Sequence, residues 1–272
     1  MPLSRDEYIL DVTTELLKND HVFYLIFCRS VWYYSLRLDN QLYIEVIFNQ
    51  VAPDYLEGLL LVTVDDTLTE PSVTDIAHIA ALLHRAANMQ HMPTKDEVKY
   101  LLPKPVLPMK EIKPPEWVQM VQCHWPRAMT VTTTEAKAEC LAILQGWPLF
   151  GSCFFNVKWM RSENTANEQV LALNRDGVHF LDVQTHETVW MQPFSEVIST
   201  RKVQAEDGTL FLDMKCGNLM QQKITRIQTE QAHEISRLVR QYINIEQGLQ
   251  GRTGPGGEHN AMGTQNMTLT RH

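Results

Sequence analysis

The feature that most constrains this chain is a change of period at Trp147. Upstream, apolar residues recur at helical spacing behind recognisable caps; downstream they alternate, in short runs separated by Gly-containing turns. A pattern suited to one period does not sit still in the other, so two lobes of different class are expected to meet near residue 147. Length agrees, because 272 residues is long for one domain and suited to two.

In the first half, Asn40 to Val51 reads as an apolar-rich helix, and Ser72 or Thr74 can cap a second in which Ile76, Ile79 or Ala80, Leu83 and Ala87 recur. Thr94 with Glu97 and Thr132 with Glu135 are capping boxes, in which hydroxyl and carboxylate each satisfy an N–H that the helix start leaves open. Pro103, Pro105, Pro108, Pro114 and Pro115 interrupt the pattern and lead into a helix around Trp117 to Trp125. Residues 36–146 therefore predict an all-α lobe, with Trp117, Trp125 and Trp147 as core and lobe-packing residues.

Beyond Trp147, Phe154, Val157 and Trp159 begin an alternating run. Val170, Ala172 and Asn174 precede an Asp176-Gly177 turn and Val178, Phe180 and Asp182 follow it; further turns at Asp207-Gly208 and Gly217-Asn218 separate later strands. A closing helix capped by Thr229 carries the stripe Ala232, Ile235, Leu238, Val239, Tyr242 and Ile243. About seven strands and then one helix is the element order of the pleckstrin-homology and phosphotyrosine-binding superfold, here over residues 147–246. The fold class is thus α+β. Residues 247–272, rich in Gly, Asn, Gln and Thr, are expected to be a disordered tail. Residues 1–35 offer a helix from Tyr8 to Leu17 and an apolar strand from Val22 to Cys28, too little for a domain, and are expected to end a preceding one.

Charge narrows function. Residues 1–146 hold 12 Lys+Arg against 19 Asp+Glu, and residues 147–245 hold 10 against 11, so no basic cluster exists to displace counterions from nucleic acid. The same deficit argues for weak or no direct membrane binding, although Arg201, Lys202 and Arg226 are candidates for an anionic-ligand patch. No apolar run reaches the roughly 18 residues of a spanning helix, and residues 1–25 lack signal-peptide order, which predicts an intracellular chain. Cys28, Cys123, Cys140, Cys153 and Cys216 are odd in number and scattered, and are read as buried, reduced thiols. His78 with His84 and Cys123 with His124 lack zinc-site spacing, so no metal or cofactor is expected. No GxxxxGK[ST] loop occurs, no catalytic residue is assigned, and the chain is expected not to be an enzyme.

Five segments carry a family resemblance. DNQLYIEVIFNQVAPDYLEGLLLV from Asp39 resembles the opening of the second lobe of FERM modules, and WPLFGSCFFNVK from Trp147 the junction of their second and third lobes in unconventional myosin tails with a myosin tail homology 4 domain. ALNRDGVHFLD from Ala172, FSEVISTRK from Phe194 and MKCGNLMQQKITRIQTEQAHEI from Met214 look most like the class XV branch. The resemblance covers residues 1 to about 246. It implies a remnant of a ubiquitin-like first lobe over 1–35, an acyl-CoA-binding-protein-like second lobe over 36–146 and a PH/PTB-like β-sandwich with a C-terminal helix over 147–246. It also implies a module binding protein cargo or cytoplasmic tails of membrane proteins, linked to actin through a motor, with a cytoplasmic place in actin-rich protrusions. An ezrin-type membrane linker binding phosphoinositides, or a regulatory module of a phosphatase or kinase, are the alternatives.

In a sandwich closed by a helix, an edge strand beside that helix can accept an extended peptide through backbone hydrogen bonds. Here the strand is Glu196 to Val203 and the helix Thr229 to Ile243. Ile198, Ser199, Thr200, Arg201, Ile235 and Leu238 are the candidate groove residues, with Arg201 and Arg237 able to pair an acidic cargo side chain.

Overall fold

The structure, a computed structural model, describes residues 7–250 apart from 20, 21, 24, 26, 65, 66, 163, 164, 184, 186 and 219; the side chains of 161, 162, 165, 166 and 250 also lie outside the description. The expected disorder of 251–272 falls outside the described residues.

The helical lobe holds α2 (Gln41–Glu57), α3 (Glu70–Ala86), α4 (Lys95–Val98), α5 (Pro114–Ala128) and α6 (Thr133–Leu144), after an isolated α1 (Ile9–Lys18). Asn40 caps α2, its Oδ1 accepting from the Tyr43 N–H at 2.9 Å, and both sequence capping boxes are formed. Thr69, rather than Ser72 or Thr74, caps α3, because Pro71 is tolerated in a first helical turn. Ile44, Ile47, Ile76, Ile79, Leu82 and Leu141 pack one core with Trp117 and Trp125.

The second lobe is a seven-stranded antiparallel sheet ordered β4-β3-β2-β1-β7-β6-β5: β1 Cys153–Ser162, β2 Thr165–Asn174, β3 Gly177–Asp182, β4 Thr188–Gln192, β5 Val197–Gln204, β6 Leu210–Gly217 and β7 Gln222–Gln228. Phe155, Leu171 and Phe180 from one half of the sheet share a core with Leu212, Met214 and Ile227 from the other, so the sheet folds over itself. The closing helix α7 (Ala232–Gln250) seals that core and runs past 246 into the expected tail. The first hairpin turns on Arg175-Asp176, one residue before the expected pair, with Asn174 opposite Gly177.

No flexible linker separates the lobes: α6 ends at Leu144 and β1 starts at Cys153. Between them, Trp147 Nε1–H donates to Asp75 at 3.0 Å and the Pro148 carbonyl accepts from Asn174 at 2.8 Å. Gly151, at φ +69, lies so close to Trp32 that a Cβ there would stand 2.5 Å from its side chain.

Among the described residues from 22 to 32 none is in a strand, which corrects the expected apolar strand. Just beyond Cys28, where the expected strand ends, the main chains of Arg29 and Trp32 are held by side chains of the other two lobes. Gln50 of α2 makes two bonds to the Arg29 main chain, at 2.8 and 2.7 Å, and the Trp32 N–H donates to the Tyr242 hydroxyl of α7 at 3.0 Å. Arg29 itself stacks over Trp32 at 5.0 Å and donates to Tyr43. The cysteines also differ from expectation: Cys140 and Cys216 are buried and Cys153 is half-buried, whereas Cys28 and Cys123 are exposed; all five are free thiols.

Candidate peptide-binding groove

β5 is the last strand of the sheet and pairs with β6 on one side only. Its register slips between Val197 and Ser199. That extra residue is a β-bulge, and it sets which side chains face the helix. Val197 enters the core, and Thr200 and Lys202 turn toward α7. Thr200 Oγ1 shares a hydrogen bond of 2.8 Å with Ser236 Oγ, and Lys202 Nζ lies 3.0 Å from His233 Nδ1. Ile198, at the bulge, is 46% exposed. Ser199 and Arg201 alternate to the outer face, opposite Lys215 and Asp213.

Two expected groove residues belong elsewhere. Ile235 and Leu238 are each 1% exposed and sit in the lobe's core. An apolar stripe on a helix sealing a sheet is spent on that seal, so α7 meets β5 instead through His233 and the 5% exposed Ser236, three residues apart on its neighbouring face. Sequence periodicity could have found this face as the complement of the apolar stripe. The salt-bridged Arg237 of that helix already pairs with Glu234, so it is not a free partner for acidic cargo.

The expected anionic patch is not assembled either. Arg226 makes two bonds to the Asp213 carboxylate, at 2.6 and 2.7 Å, and these raise its pKa further. Arg201 stands across from the same Asp213 on the outer face, whereas Lys202 faces α7 with His233. The three cations are divided between two faces and one is neutralised. Phosphate recognition needs converging donors, and this arrangement lacks them.

Other polar features do not converge on the groove. A cavity of about 910 Å³ lies between Asn156–Lys158, Glu168–Gln169, Gly208–Leu210 and Gln228–Glu230. His78 and His124 stack at 4.8 Å in the helical lobe. One trio among the described residues, His84, His91 and Glu97, places metal-type donor atoms within 4.8 Å of one another. Among the described residues no helix is long and apolar enough to cross a membrane.

Comparison with known proteins places this geometry. The FERM central domain model matches residues 35–155 and the IRS-1-type PTB domain model residues 155–247. Human unconventional myosin-XV is 30% identical over 244 residues, which is 89% of this chain and 7% of that protein. Drosophila myosin-VIIa is 25% identical over 63% of this chain and 8% of its own length, so the chain spans a small part of these relatives. Among solved structures, the Dictyostelium myosin VII MyTH4-FERM MF2 domain superposes with a TM-score of 0.65 at 18% identity, covering 90% of this chain and 49% of that one. The human Myosin 7b C-terminal MyTH4-FERM domain, in complex with the harmonin-a PDZ3 domain, gives 0.62 at 20% identity over 88% of this chain and 47% of that one. With lobe order, sheet topology and sequence in agreement, residues 35–247 are the central and PTB-type lobes of a FERM module of the unconventional-myosin tail group.

Proposed function

We propose that this chain is a non-catalytic recognition module of an actin-based motor tail, holding extended segments of protein cargo or of membrane-protein cytoplasmic tails along β5 beside α7. The observation that carries the reading is the edge strand with a helix face beside it. β5 keeps one row of backbone donors and acceptors without a strand partner among the described residues, and Ile198, Thr200, Lys202, His233 and Ser236 flank it. Backbone pairing supplies affinity to an added strand, and alternate side-chain sites supply selectivity. The myosin relatives support an association with the actin cytoskeleton, and the harmonin complex of the Myosin 7b domain supports protein partners. The bidentate Asp213–Arg226 pair weighs against the phosphoinositide-binding alternative.

Fluorescence anisotropy with short labelled peptides from membrane-protein cytoplasmic tails tests this. A variant carrying Lys202→Glu and His233→Trp, shown by circular dichroism to be folded, should bind any hit at least about tenfold more weakly, a loss of about 1.4 kcal/mol. Parental affinity in that variant would place the partner elsewhere. Sedimentation with phosphatidylinositol-bisphosphate vesicles separates the membrane-linker alternative: the groove reading expects the protein to stay in the supernatant.

A further inference from the structure

We infer that the turn joining α3 to α4 carries a divalent-cation site of the zinc class, built from His84, His91 and Glu97. The fold brings these residues together through one helix ending. α3 stops in a Schellman turn: Asn88 takes φ +62, its N–H donates to the Arg85 carbonyl at 2.8 Å, and the Met89 N–H donates to the His84 carbonyl at 3.3 Å. Asparagine is among the few residues other than glycine that adopt this backbone at low cost. The reversal carries His91 back over His84, with ring centroids 5.0 Å apart and planes at 89°.

His84 is built in rather than displayed. It is 3% exposed, and the Trp125 ring holds its other side at a centroid distance of 5.1 Å. Its Nε2 lies 2.9 Å from the His91 carbonyl oxygen. A carbonyl only accepts, so Nε2 carries the proton and the other ring nitrogen keeps the lone pair a metal needs. A bond from ring N–H to a main-chain carbonyl is also the usual device for orienting a metal-binding imidazole.

Glu97 divides its two oxygens. Oε2 accepts from the Thr94 N–H at 2.8 Å and the Thr94 hydroxyl at 2.7 Å, which is the capping box. Oε1 faces His91 Nε2 at 2.9 Å. The cap fixes the carboxylate and leaves one oxygen for a second partner. One donor atom from each of the three residues lies within 4.8 Å of the others. Zinc bonds of about 2.0–2.2 Å in tetrahedral geometry set ligand atoms roughly 3.5 Å apart, so closure by roughly an ångström completes the set. The His91 side chain, 55% exposed, is free to supply that movement. Two imidazoles and one carboxylate suit zinc better than calcium or magnesium, and three protein ligands leave a fourth position for water. As a bare surface ion pair, His91 and Glu97 would contribute little; the oriented, buried imidazole beside them is what an ion pair does not require.

Isothermal titration of the full chain with zinc chloride at neutral pH should show one saturable site and a raised melting temperature. His91→Ala, and separately Glu97→Gln, which keeps the cap acceptor, should each weaken zinc binding by at least about tenfold and remove the melting shift. Glu206→Gln, an exposed carboxylate of the third lobe, should leave both unchanged. Absence of saturable zinc uptake by the parent, or parental affinity in folded His91→Ala, overturns the assignment.

Discussion

Two faces of α7 do opposite work. Its inner face places Ile235, Leu238, Val239 and Tyr242 at or below 1% exposure, and Tyr242 stacks on Phe194 at 4.9 Å while its hydroxyl holds the Trp32 N–H. Its groove face meets an edge strand through His233 and Ser236, in polar pairs with Lys202 and Thr200. The inner face also ties the third lobe to the segment that runs through the second. The difference teaches where rigidity is kept: the proposed recognition edge is stiffened by a core one helical turn away, while its own contacts are few polar pairs that a partner strand could replace. Changes on the inner side should therefore cost stability, and changes on the groove side should cost binding.

The sharpest break in that comparison comes at Gly151. A Cβ would meet Trp32 at 2.5 Å, and the positive φ of 69 disfavours a side chain as well. Gly151→Ala should lower stability by about 2–4 kcal/mol in urea denaturation, since the neighbour is a ring held in the core rather than a flexible tip. Tyr242→Phe keeps the ring stack and removes only the bond to the buried Trp32 N–H, so its cost should be about 1–3 kcal/mol.

Acid should separate the lobes further. Burial lowers the pKa values of His78 and His124, and their stack adds mutual repulsion that lowers His78 again. Arg127 lowers both; Glu139, 3.4 Å from His78, and Asp75 oppose the fall at His78. The third lobe contributes His179, lowered by burial. A folded-state pKa below the unfolded one means that stability is whole above the ordinary histidine value of about 6.5 and is lost as pH falls below it. The melting temperature should fall on going below that pH, and His78→Gln should flatten the fall. Asp54 runs the other way, its carboxyl pushed up to about 6 by burial, so its stabilisation is lost as pH rises through that value. Asp54→Asn should therefore slightly stabilise the protein at neutral pH.

The smallest stability effect is expected on the groove. Ile198→Ser and Lys202→Gln change exposed side chains and should each shift stability by less than about 0.5 kcal/mol.

Much of the fold was legible in residue order. The change of period at Trp147 separates helices from strands, and Thr94 and Thr132 cap the helices they precede. The groove was legible only in part. Strand β5 and helix α7 could be placed from their patterns, but a one-residue bulge after Val197 decides which β5 side chains meet the helix, and bulges leave no mark in a short alternating run. Ile235 and Leu238 misled because an apolar stripe marks the core face, which is the face a ligand does not see. The stretch from Val22 to Cys28 misled too: its apolar content matches a strand, but its described residues pair with no neighbouring strand, and the chain is anchored just beyond it, where Gln50 and Tyr242 bond to the Arg29 and Trp32 main chains. The histidine trio escaped notice because spacing of seven and six residues carries no zinc signature until a left-handed Asn88 reverses the chain.

Amide hydrogen exchange with and without a bound tail peptide tests the central claim most directly, because strand addition must engage the free backbone edge of β5. The account predicts new protection over residues 198–204 of β5, a smaller effect on the 233–240 face of α7, and none in α2, α3, α5 or α6. Protection confined to the helical lobe, with β5 exchanging as it does in the free protein, would contradict it.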